Sequence, residues 1–186
     1  MPEAIAAYRA VLADAPNLPD SWYNLGWLLR RAGDPSAAIA AYDRALALNI
    51  SGPEEVFLNK GVIFADDLLD PARAQEAYRA ALAINPRYGN ARFNLANTLE
   101  DLGDREGAAS EYRMLLQQAP GEPEPLARLA NLSKISSPGD PLVVQLQSAL
   151  ARTELPASAR ASLGFALGRL LDQAGAYDHA FEAFKD

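Results

Sequence analysis

Three asparagines, Asn24, Asn59 and Asn94, stand 35 residues apart along the chain. A primary amide carries a donor and an acceptor together, so a row of amides can hold the backbone of an extended peptide whatever its side chains. The alternative is structural: each amide satisfies a neighbouring helix. No other residue pattern points to chemistry. The sequence has no Cys and one His, His179, with no Ser, Cys or carboxylate that can be placed beside it, so a nucleophile-and-base constellation is missing. A zinc site would have to be built mostly from carboxylates. The residues therefore predict no catalytic site, no metal and no cofactor. With 24 acidic against 17 basic residues, net charge -7, the chain also lacks the clustered Lys and Arg that phosphate backbones require, which excludes a nucleic-acid partner.

The elements that carry the amides recur with them. Trp22-Tyr23-Asn24-Leu25-Gly26 returns as Leu58-Asn59-Lys60-Gly61 and as Arg92-Phe93-Asn94-Leu95-Ala96. A second string follows each, running from Ala38 through Tyr42 to Leu46, from Ala74 through Tyr78 to Leu82, and from Ala108 through Tyr112 to Leu116. An earlier copy, Ala4 through Tyr8 to Leu12, opens the chain without a partner. Apolar residues at three- and four-residue spacing make each string an amphipathic helix. Small residues at Gly26, Gly61 and Ala96, and at Ala38, Ala74 and Ala108, allow close helix approach, with a tyrosine filling what remains. Gly33-Asp34 and Gly103-Asp104 supply the turn, Gly as a left-handed cap and Asp as the next N-cap.

These strings resemble the tetratricopeptide-repeat pattern, W-x2-L-G-x2-Y, then A-x3-F, then P. The matching residues are Trp22, Leu25, Gly26, Leu29, Ala38 and Tyr42, with Pro16, Pro86 and Pro120 closing other copies. The resemblance covers nearly the whole chain and implies an all-α fold, a right-handed α-solenoid of antiparallel helix pairs. We parse residues 1–186 as a single solenoid: a lone second helix at 3–15, full repeats at 19–52, 54–88 and 89–122, a degenerate repeat at 123–152 and a truncated terminal repeat at 157–186. The second full repeat holds an extra residue near Asp67-Leu68-Leu69-Asp70, Ile50 stands where Pro is expected, and Pro53 is inserted between repeats.

The same resemblance implies that first helices line a concave groove, which brings the asparagine row onto a binding face. Tyr23, Trp27, Arg30 and Arg31, then Leu58, Val62 and Asp66, then Phe93, Asn97, Glu100 and Asp101 complete it. Aromatics beside Arg suit an apolar or acidic side chain, and the acidic end suits Lys or Arg. For isolated charges in such a row the ordinary reading is a solvated face, and only their grouping points to a ligand. Trp22, in the large-apolar slot, is expected in the core and Trp27 on the groove. The carboxylate clamp of chaperone-tail binders is absent, since Lys60 is the one Lys in the three full repeats.

Residues 126–186 carry a narrower resemblance. Leu129-Ala130-Asn131-Leu132-Ser133-Lys134, the break from Ser136 to Pro141, and the run from Phe165 to Phe181 resemble the repeat region that precedes the catalytic domain in bacterial tetratricopeptide-sulfotransferase proteins. That implies a parent that transfers sulfuryl groups from 3′-phosphoadenosine 5′-phosphosulfate. The chain itself has no Gly-rich strand-loop-helix cradle with a Lys or Arg for phosphate and is not expected to be an enzyme. Opening on a lone second helix and closing inside another, it is expected to be a piece of a longer protein. Unpartnered helices at its ends, with Ile5, Tyr8 and Leu12 on one and Phe181 and Phe184 on the other, predict self-association. No apolar run reaches the ~20 residues of a membrane span, which predicts a soluble cytoplasmic protein without membrane insertion. The expected function is a scaffold that binds a protein or extended peptide in its groove. The alternative is the non-catalytic region of a sulfotransferase that positions an acceptor.

Overall fold

Proline opens most of the helices. Its fixed φ suits the first helical position, where the missing N–H leaves no bond unmade. It does so in α1 (Pro2–Asp14), α2 (Pro19–Arg31), α3 (Pro35–Ala47), α4 (Pro53–Val62), α5 (Pro71–Ile84), α8 (Pro123–Leu132) and α9 (Pro141–Leu150). The remaining helices are α6 (Gly89–Asp101), α7 (Arg105–Gln118), α10 (Ala157–Gln173) and α11 (Tyr177–Ala183). The computed structural model describes residues 1–184, and among these there is no strand. The fold is therefore all-α and built of antiparallel helix pairs, as expected. The last two residues of the terminal repeat lie outside the described residues. Two compact units divide the chain, Met1–Thr98 and the segment from Leu99 onward.

In the first unit α2 pairs with α3 and α4 with α5, while α1 packs on α2 and α3 on α4. Each pair closes on an aromatic ring laid against a glycine. A Cβ added to Gly26 would stand 2.7 Å from the Tyr42 ring, and one at Gly61 would strike Tyr78. Both rings are fully buried. Trp22 is half-buried beside this core, and its indole N–H donates to the Pro16 carbonyl at 2.8 Å. Arg92, at the same register two repeats on, donates to the Pro86 carbonyl at 2.8 Å. A side-chain N–H in this slot fastens α2 and α6 to the turns that precede them, whereas the second repeat has Phe57 there.

The turns within pairs repeat down to single hydrogen bonds. Gly33 and Gly103 have φ of 82° and 81°. Asp34 and Asp104 follow, each N–H reaching back five residues, to Leu29 at 3.0 Å and Leu99 at 2.9 Å. Their carboxylates cap α3 and α7 through Ala37 N–H and Gly107 N–H. The second repeat reproduces this turn with one residue more. Asp70 caps α5 through Arg73 N–H, but its own N–H reaches six residues back, to Phe64 at 2.7 Å. The extra residue does not lie in the loop near Asp67 to Asp70. It is wound into a π-helical turn at Ile63–Asp67 that continues α4. Leu69 then takes the glycine position with φ of 52°, 80% exposed.

The second unit departs from regular pairing. α10 is its hub, packing on α8, α9 and α11, while α7 packs on α8. The glycine contact returns between α10 and α11, where a Cβ on Gly168 would stand 2.5 Å from the Phe184 ring. α8 lies chiefly against α10 and only lightly against α9. Arg169 of α10 explains the attachment, because its guanidinium donates to the carbonyls of Ala130 and Ser133 and to the Asn131 side chain at the end of α8. The Ala130 carbonyl also accepts from Ser133 N–H at 3.1 Å, and Arg169 takes up acceptor capacity left at the helix end.

Two substitutions test this account by urea denaturation. Leu69→Gly should stabilise the chain by about 1 kcal/mol, because a left-handed backbone penalises a Cβ and an 80%-exposed leucine gives up little packing. Gly61→Ala should destabilise it by roughly 1–3 kcal/mol, since the ring has no room to move and overpacking exceeds the gain in helix propensity.

Candidate functional site

The asparagines do not share one environment. Asn24 on α2 is exposed, whereas Asn59 on α4 is half-buried and its amide donates to Tyr23 Oη at 3.0 Å. Tyr23 Oη in turn donates to Glu55 Oε1 at 2.6 Å. Tyr23, Asn59 and Glu55 thus form a clasp between α2 and α4, and the structural role holds for the Asn59 donor. Asn94 on α6 is half-buried, and its backbone carbonyl accepts from Thr98 Oγ1 at 2.8 Å.

Trp27 stands on the same helix face as Asn24, three residues on, and is 45% exposed. The Arg31 guanidinium lies 4.6 Å from the centre of its ring, which stiffens a large apolar surface at the helix boundary. Arg30 behaves differently from the expected anchor for an acidic side chain. Its Nε donates to Asp67 at 2.6 Å and its Nη2 to Asp66 at 3.2 Å, so the π-turn supplies the counter-ions and Asp66 is drawn into the same pairing. Leu58, Val62, Phe93 and Asn97 are half-buried. Glu100 and Asp101 belong to the second unit. Asp101 is exposed, while Glu100 accepts from Tyr112 Oη at 3.0 Å and lies 3.7 Å from Arg128.

The ends also differ from each other. Leu12 is 5% exposed, and Ile5 and Tyr8 pack partly buried against the core of the first unit, so the open patch expected there is largely covered by α2. Phe181 and Phe184 are 62% and 50% exposed, and Phe165 beside Phe184 is 59% exposed. His179 is exposed. Among the described residues, no helix is long and apolar enough to cross a membrane.

Glu55 and Asp67 were not singled out from the sequence. Glu55 sits one turn before Asn59, a spacing that could have suggested a shared partner. Asp67 reaches Arg30 only because of the π-turn, which no sequence period announces.

The repeat geometry is matched by comparison with known proteins. The tetratricopeptide-repeat family model matches residues 2–53 and 65–123. The chain belongs to the tetratricopeptide-repeat family. Among solved structures it is similar to YrrB, described as a TPR protein with an unusual peptide-binding site, at 18% identity and a TM-score of 0.67, covering 97% of this chain and 93% of that one. It is also similar to MamA, at 20% identity and a TM-score of 0.57, covering 97% and 82%. A search of curated proteins gives no match. At these identities the solved structures speak for the fold alone.

The clasp and the ring contacts make the TPR core sensitive to alkali. Burial, and then the Glu55 carboxylate, push the Tyr23 hydroxyl well above its ordinary value. Burial likewise raises Tyr78 and Tyr112, and it pushes Tyr42 up to about 12. Below the ordinary tyrosine value of 10.0 these groups are neutral in both states and their contribution is complete. Above it the unfolded chain ionises first, so stability falls as pH rises towards the folded values. Urea midpoints should hold up to about pH 9 and drop steadily as the pH passes the ordinary tyrosine value of 10.0. Tyr42→Phe, which cannot ionise, should shallow the slope.

Proposed function

We propose that the chain is a protein-interaction scaffold whose first-helix face in the first unit binds an extended peptide. The observation that carries this is the pairing of Trp27, exposed and braced by Arg31, with Asn24, exposed one turn away on the same face. A rigid aromatic supplies contact area at little entropic cost, and an amide beside it bonds the peptide backbone. The Tyr23-Asn59-Glu55 clasp fixes α2 against α4 behind that surface and orients the Asn59 carbonyl. Arg30, already paired, contributes shape more than charge. A peptide ligand is also in keeping with the binding site named for YrrB. The sulfotransferase setting rests on the resemblance of residues 126–186 alone; sequencing the gene beyond Asp186 for a basic phosphosulfate loop decides it.

Selecting ligands from a displayed peptide library and titrating them by calorimetry tests the face. Trp27→Ala should cost about 2 kcal/mol of binding, roughly thirtyfold, as a central aromatic does. Asn24→Ala, and Asn59→Ala combined with Asn94→Ala, should each cost about 1 kcal/mol. Unchanged affinity in all three variants sinks the reading.

A second reading, self-association, is favoured by the aromatic patch of Phe165, Phe181 and Phe184. Sedimentation velocity should show concentration-dependent association that Phe165→Ser abolishes. A single monomeric species at the highest concentration reached refutes it.

A further inference from the structure

A groove of about 510 Å³ lies between α1 and α3, over α2. Leu12, Trp22, Leu25 and Leu29 give it an apolar floor, and Arg9 and Arg44 stand at its lining. Internal repetition shows what is unusual about it. Residues 4–8 and 38–42 read identically, Ala-Ile-Ala-Ala-Tyr, so Asp43 holds in α3 the register of Arg9 in α1. With Asn24 set on Asn59, Lys60 holds the register of Leu25, and with Tyr42 set on Tyr78, Arg73 and Glu76 hold those of Ala37 and Ala40.

One repeat on, the corresponding place is closed. Lys60 Nζ lies 2.5 Å from Asp43 Oδ1, and the lysine side chain is only 16% exposed. In the first repeat the lysine has become leucine, the aspartate has become arginine, and two larger charged residues have become alanines. The closing ion pair is gone, and a groove remains whose apolar lining is the edge of Trp22 and the alanines, above the nearly buried Leu12, Leu25 and Leu29. No acidic residue lines the groove. Among the described residues Arg9 pairs with no carboxylate, and Arg44 rests only over the Trp22 ring at 5.8 Å. Two unpaired guanidinium groups flanking an apolar trough, on a chain of net charge -7, form a cationic site set into an acidic molecule.

We propose that this groove is a second docking site, separate from the first-helix face, and that it takes an acidic amphipathic segment of a protein partner. Large apolar side chains spaced by one helical turn fill the trough over Leu25 and Leu29, and flanking carboxylates pair with Arg9 and Arg44. The planar guanidinium suits a carboxylate better than a lysine head would.

Trp22 lines the groove and reports on it directly. In a Trp27→Phe background it is the sole tryptophan, since the chain has two. The probe is a short synthetic peptide with leucines one turn apart flanked by glutamates, and its control carries lysines in place of the glutamates. The glutamate peptide should shift Trp22 emission saturably, and the lysine peptide should bind at least about tenfold more weakly. Arg9→Glu with Arg44→Glu should remove at least about tenfold of the affinity, and the milder Arg9→Gln with Arg44→Gln should remove part of it while circular dichroism stays unchanged. Asn59→Ala with Asn94→Ala should leave it unaltered, which separates this site from the first-helix face. Equal binding of the two peptides, full affinity in both arginine variants, or no saturable shift overturns the proposal.

Discussion

An aromatic ring set against a residue without a side chain is the contact on which the helix pairs depend. Tyr42 meets Gly26, Tyr78 meets Gly61 and Phe184 meets Gly168, each ring reaching from the second helix of a pair to the first. Because ring and gap lie on different helices, their fit sets how closely and at what height the two can pack. At Gly26 and Gly61 a larger residue would collide with the ring as it lies, and a smaller ring would leave a void. The surfaces facing away from this contact carry no such demand. Ala37 and Ala40 can therefore become Arg73 and Glu76 one repeat later without disturbing the pair.

That constraint also explains where the extra residue of the second repeat had to go. Gly61 must stay opposite Tyr78, and Asp70 must stay at the start of α5 to cap it. The surplus can be absorbed only between them. A π-turn at Ile63–Asp67 does so with less disruption than a bulging loop, because Ile63 and Phe64 remain buried. Two consequences follow from this one local event. Leu69 is forced into a left-handed backbone normally given to glycine, and Asp66 and Asp67 swing within reach of Arg30.

What could be foreseen from the sequence divides along the same physical line. Helix pairing, the small-residue contacts at Gly26 and Gly61 and the aspartate caps at Asp34 and Asp104 were legible, because each depends on residues at fixed short spacing. The proposed binding face was legible only as a set of positions. Whether Asn59 is spent on Tyr23, or Arg30 on Asp67, depends on side chains more than thirty residues apart and, for Arg30, on the π-turn that carries Asp67. Pro16, Pro86 and Pro120 follow helix ends as expected, while other prolines such as Pro19, Pro35, Pro53 and Pro71 start helices, a role the repeat pattern does not announce. Beyond Pro123 the legible pattern weakens because α10, through Arg169, replaces the neighbouring helix as the partner of α8.

In a solenoid each repeat contacts only its neighbours, so every polar side chain on a repeat boundary is either consumed by the adjacent repeat or left for something else. Tyr23 with Asn59 and Glu55, Arg30 with Asp66 and Asp67, and Asp43 with Lys60 are all consumed between the first and second repeats. These ties are what hold α2 and α3 at a fixed angle to α4, and a surface that holds its shape loses less entropy on binding. Asn24, Trp27 and Arg31 on α2, Arg44 on α3 and Arg9 on the adjoining α1 lie outside the ties. The first repeat is thus rigid where it meets the second and chemically open elsewhere. That combination, more than the repeat fold alone, is what a recognition surface requires.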